Sequence, residues 1–120
     1  MITIWADTTV SAAHTFNGHQ LHGHTYLVRV HVRPPADAEE LHQALAETRR
    51  GVDHTCLNDV LPEPTMEALA QWFADAMSAR FGVAEVVVTR PEGMGCRLLV
   101  PAAVPGYAST PEAPRGEISS

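Results

Sequence analysis

The chain has 120 residues, with 8 basic side chains against 14 acidic ones and a formal charge of −6, enough for one domain with its own hydrophobic core. Every basic residue is arginine, and without lysine there is no Schiff-base catalysis, no pyridoxal-phosphate anchor and no P-loop. An acidic chain lacking a basic run predicts no nucleic-acid partner, no stretch approaches the ~20 apolar residues of a membrane span, and the unremarkable start Met1-Ile2-Thr3-Ile4-Trp5 predicts a cytoplasmic protein.

Residues 2–14 and 24–33 read as strands. The second alternates, with Tyr26, Val28, Val30 and Val32 on one face and Arg29, His31 and Arg33 on the other. Pro34-Pro35 ends it. A helix is expected from Asp37, where Asp37 and Glu40 have the spacing of a capping box, to Arg49-Arg50 and a closing Gly51. Residues 51–64 read as a loop. Thr65 is placed to cap a second helix reaching about Arg80, with Met66, Leu69, Ala70, Phe73 and Met77 on its apolar stripe.

Glu85–Arg90 and Cys96–Val100 read as two further strands, joined by Pro91-Glu92-Gly93-Met94-Gly95. The order β-β-α-α-β-β predicts an α+β domain over residues 1–103: a four-stranded antiparallel sheet with both helices on one face. Residues 104–120, rich in Pro, Ser, Gly and Ala, are expected to be disordered.

Seven histidines make imidazole the chemistry to follow. His22 and His24 stand two apart on a strand and therefore point to one side. His14 ends the first strand, and a tight connection would bring it across from the pair. Three imidazoles at a sheet end suit zinc with a fourth position left for water or substrate; three structural histidines are the plainer alternative. His31 and His42 fall on solvent faces and receive no role. Cys56 and Cys96 read as free thiols, small buried hydrophobes before metal ligands or nucleophiles.

Four segments together carry a resemblance: Ala12-Ala13-His14, Leu21-His22-Gly23-His24-Thr25-Tyr26, Asp53-His54-Thr55-Cys56-Leu57-Asn58 and Pro64-Thr65-Met66-Glu67. In this order they resemble the 6-pyruvoyltetrahydropterin synthase and 6-carboxytetrahydropterin synthase family, over about residues 2 to 100. The resemblance implies a T-fold, assembled into trimers or hexamers around a barrel. It implies zinc on His14, His22 and His24, and the Asp-His pair of the family's proton relay at Asp53 and His54.

Three departures qualify it. The family's catalytic cysteine stands four residues before the first histidine of His-Gly-His, and Gly18 occupies that place; His19 is the candidate substitute base, with Cys56 second. Arg90 stands where the family keeps the glutamate that reads the pterin's guanidine-like edge, and a guanidinium there opposes donors to donors while suiting a carboxylate or phosphate. Glu92, two residues on, is the candidate compensation. The segment Arg33-Pro34-Pro35-Ala36-Asp37 is shorter than in the family.

The expectation is a zinc-dependent lyase or cyclase acting by proton transfer on a small anionic molecule other than the usual pterin, in a setting such as specialised metabolism. Two alternatives stand beside it: a pterin side-chain lyase with a replacement base, and a non-catalytic zinc-binding homologue.

Overall fold

The computed structural model describes residues 1–15 and 22–102, without the side chain of His22. The segment expected to be a disordered tail, and the candidate base His19, lie outside the described residues. Four strands form one antiparallel sheet in sequence order: β1 (Ile4–His14), β2 (His22–Val32), β3 (Val83–Arg90) and β4 (Met94–Leu99). Helix α1 (Ala38–Thr48) packs over β1, and α3 (Met66–Met77) packs over β3 and β4 and touches α1. This is the T-fold expected from the sequence, with two helices on one face.

The caps explain where the helices begin. Asp37 accepts the backbone N–H groups of Glu39 and Glu40 at 2.8 and 3.2 Å, and the Thr65 hydroxyl accepts that of Ala68 at 3.1 Å. The apolar stripe of α3, Leu69, Ala70, Phe73 and Met77, is buried against Val28, Val30, Val86 and Val88 of the sheet. No helix of the described residues is long and apolar enough to cross a membrane.

Two differences from the sequence reading bear on function. The end of the first helix, read as helical through Arg49-Arg50, is a 3-10 turn (Arg49–Gly51), and the stretch read as a loop contains a one-turn helix, α2 (Leu57–Val60), whose Leu57 enters the core. One turn is too short to show a helical period in sequence. Strand β4 begins at Met94 rather than Cys96, because Gly95 lets the hairpin close: a Cβ there would overlap the Val88 carbonyl oxygen and the Thr89 side chain.

The strand registers sort the sheet into two faces. Val10 pairs with Tyr26, Ala12 with His24 and His14 with His22, and pairs directly opposite share a face. The apolar face under the helices therefore runs on, at one end of the sheet, into His14, His24 and the register position of His22. The opposite face is polar: Asp7 holds Arg29 at 2.7 Å, Arg29 lies 3.7 Å over the Trp5 ring, and Glu85 holds Arg97. His31, expected on a solvent face, belongs there, half-covered, with Thr3 at 3.1 Å.

Candidate active site

The loop after α1 is stitched to the outer edge of β1. An edge strand leaves alternate N–H and C=O groups unpaired, and here the upper half of β1 finds partners in residues 49–56. His54 donates its N–H to the Ser11 carbonyl at 2.6 Å, and Ala13 donates to the Thr55 carbonyl at 2.9 Å. Ser11 donates its own N–H to Asp53 Oδ1 at 2.9 Å. Just beyond, Asn58 bonds both backbone groups of Thr15, at 2.8 and 3.1 Å.

This stitching presents the Asp-His pair. Asp53 is largely covered, with its side chain 12% exposed, whereas the His54 ring is 81% exposed. His54 has φ 58°, a left-handed conformation unusual for a side-chain-bearing residue. Its Nε2 stands 3.5 Å from Asp53 Oδ2, an electrostatic contact longer than a good hydrogen bond. The shorter partner of that oxygen is Arg49, whose Nη1 donates to it at 2.8 Å.

His54, Thr55, Cys56, His24, Thr25 and the β1 backbone from Ser11 to Ala13 line an open depression of about 570 Å3. Beside His24 lies His14, their ring centroids 4.9 Å apart and tilted by 44°. Both ring nitrogens of His14 are shielded from solvent. His14 and His24 converge at a sheet end, with the backbone position of His22 directly opposite His14, and imidazole is a ligand type that zinc takes. Among the described residues, which omit the His22 side chain, no three His, Cys, Asp or Glu side chains group closely enough to hold a metal.

Arg90 ends β3 on the same face as Val88. The β3–β4 turn is built from Pro91, Glu92 and Gly93, with the Gly93 N–H donating to the Arg90 carbonyl at 3.0 Å. Pro91 takes the second turn position that its fixed φ suits, and Gly93 supplies φ 102° at the fourth. Pro91 thus folds Glu92 back onto Arg90, and Arg90 Nε donates to Glu92 Oε1 at 3.3 Å. The Glu92 carboxyl is held below the usual carboxylate range by its own backbone N–H, then by Arg90, and also by the charge of His24. Burial pushes the Tyr26 phenol up, Arg90 opposing and Glu92 adding.

A profile of the 6-pyruvoyl tetrahydropterin synthase family matches residues 3–98. The chain belongs to this family. The 6-pyruvoyl tetrahydropterin synthase of Caenorhabditis elegans superposes with a TM-score of 0.70 over 83% of this chain and 96% of that one, at 16% sequence identity. No curated protein matches the sequence.

Within this synthase-family fold, His24 and His54 share one depression and His14 touches His24. Arg90 lines a separate hollow of about 510 Å3, which shares no lining residue with the first and includes Val87, Thr89 and Arg97 from the opposite sheet face. Cys56 lines the His54 depression, where its thiol contacts Asn58 Oδ1 at 3.5 Å. Cys96 is half-buried, and burial, then the Glu67 charge, raises its thiol above the usual range.

Arg49 is the functional-site residue that sequence reading passed over, because it looked like a helix-terminal charge suited to the dipole. The available signal was its spacing of four from Asp53, the distance at which opposite charges meet on a helix.

Proposed function

We propose that this synthase-family chain is a zinc-dependent lyase or cyclase acting by proton transfer on a small anionic substrate distinct from the family's pterin. The observation that carries the reading is the depression lined by both His24, of the imidazole cluster, and His54, on its Asp53 anchor. A proton-carrying group and a metal-type donor at one opening suit chemistry on a polarised carbonyl or hydroxyl. His14, His22 and His24 would hold the zinc, which when bound supplies a Lewis acid for such an oxygen.

The chain's own residues supply the rest. His54 is exposed enough to meet a substrate and to exchange protons with water. Asp53 Oδ2, at 3.5 Å, favours the charged imidazolium after proton uptake. Arg90 offers a guanidinium to a carboxylate or phosphate, and its Nε already donates to the Glu92 carboxylate at 3.3 Å. His19, one place after the missing cysteine, is the proposed opposing base. The active form is a self-associated trimer or hexamer in the cytoplasm.

The test is a substrate and metal assay on the purified chain. About one zinc per chain is expected, lost in His24→Ala. No turnover of dihydroneopterin triphosphate is expected, and Arg90→Glu should gain pterin binding. Turnover of that pterin by the unmodified chain would overturn the substrate assignment and favour a pterin lyase with a replacement base. Absence of zinc would overturn the metal reading.

A further inference from the structure

Arg49 touches Asp53 more closely than His54 does, and through the same oxygen. Its Nη1 donates to Asp53 Oδ2 at 2.8 Å and to the Thr9 carbonyl at 3.0 Å. Its own carbonyl accepts the N–H groups of Val52 and Asp53 at 3.0 and 2.8 Å. Arg49 therefore ties three things together: the edge of β1, the backbone that turns into the loop, and the carboxylate beside His54. The other Asp53 oxygen is occupied by the Ser11 N–H. With both oxygens engaged, the carboxylate is fixed in rotation and faces His54 with part of its charge already neutralised.

We propose that Arg49 is the positioning residue of the Asp53–His54 pair, fixing the carboxylate and moderating its pull on the imidazole so that His54 both takes up and releases a proton in one cycle. A carboxylate oxygen 3.5 Å from Nε2 favours the imidazolium over the neutral ring. A guanidinium on the same oxygen weakens that preference without removing it. One terminal nitrogen, Nη1, makes both contacts, so the cation is held at the strand edge while it faces the Asp53 carboxylate. Among the described residues, the charged or titratable groups around His54 are Asp53 and Arg49, Cys56 beyond it and His24 from β2 across the depression.

The inference rests on the relay assigned to Asp53 and His54 above, yet its test needs no substrate. Ring signals of His54, assigned by their loss in His54→Gln, are followed against pH by 15N-edited NMR on the full chain. Arg49→Gln and Arg49→Met remove the cation; the second keeps part of the apolar stem should the first fail to fold. In either variant the His54 titration midpoint is expected to rise by about half to one pH unit, since the carboxylate then stabilises the imidazolium unopposed. Arg49→Lys, which keeps the charge, should return the midpoint to within ~0.3 unit. Asp53→Asn should lower it. An unchanged midpoint in a natively folded Arg49→Gln or Arg49→Met protein overturns the proposal. The relay itself stands or falls separately: full lyase activity in His54→Gln would refute it while leaving the measured coupling intact.

Discussion

Asp53 carries a structural task that is separable from its proposed part in the chemistry, and two substitutions divide them. Asp53→Asn keeps a carbonyl oxygen for the Ser11 N–H, at 2.9 Å in the native chain, but turns an amide N–H2 or a neutral oxygen toward Arg49. The lost interaction is a charge-assisted hydrogen bond from an arginine that is 36% exposed to a carboxylate that is 12% exposed. Fully buried bonds of this kind contribute roughly 1.5–3 kcal/mol. Solvent screening on the arginine side brings the expected cost to about 1–2 kcal/mol. Asp53→Ala also leaves the Ser11 N–H without its acceptor, about 1 kcal/mol more, for roughly 2–3 kcal/mol in total. Urea denaturation followed by circular dichroism measures both, with m unchanged if the denatured state is unaffected. The alanine variant should be the less stable, and 0.5 M salt should narrow the gap between wild type and Asp53→Asn. Equal stability of all three proteins would refute the claim that this carboxylate fastens the loop to β1.

Three further expectations are independent of that one. Glu92→Gln frees Arg90 from its internal carboxylate, so inorganic phosphate or pyruvate should bind several-fold more tightly by calorimetry, and Arg90→Gln should abolish the gain. Cys96 should alkylate slowly at pH 7 with iodoacetamide. Because burial raises its pKa, its rate by mass spectrometry should climb about tenfold per pH unit and still be climbing beyond the pH at which an unperturbed thiol levels off. Gly95→Ala should destabilise the chain by about 2 kcal/mol or more in thermal melts, since the new methyl meets backbone at Val88 rather than a yielding side chain.

Much of the scaffold was legible in the sequence because its signals are local. The alternation of Tyr26, Val28, Val30 and Val32, the caps Asp37 and Thr65, and the stripe ending at Met77 each act within a few residues, and each appears where expected. The stitching of residues 53–56 to β1 was not legible. Its bonds run mainly between backbone groups, which every residue type carries, and side-chain pattern gives no sign of them. The hairpin stands where the sequence placed its connection, but the pattern gave no sign that Pro91, at the second position of the turn, directs Glu92 toward Arg90. Arg49 was visible as a charge but not as a contact, because its partners lie on a strand edge forty residues away as well as four residues ahead.

The layout of this fold explains how an arginine can stand at residue 90 without disturbing the rest. Strands β1 and β2 spend their helix-facing side on core packing as far as Val10 and Tyr26, and the imidazoles begin only past that point, at the end of the sheet. Arg90 likewise follows Val88, the last buried residue of β3, and pairs in register with the exposed Met94. A change from carboxylate to guanidinium at that position meets water and Glu92 rather than the core, so it costs little in folding while inverting the charge offered to a ligand. The Asp53–His54 pair is insulated from such changes, because its geometry is set by β1 and Arg49 on the other side of the sheet end. The Asp53–His54 pair and Arg90 are therefore held by different parts of the fold, so that under the proposed function one can diverge while the other is kept. If that separation is real, exchanging Arg90 and Glu92 for other residues should alter which anions bind while leaving the His54 titration midpoint in place, and movement of both together would show that the two ends of the site are one coupled unit.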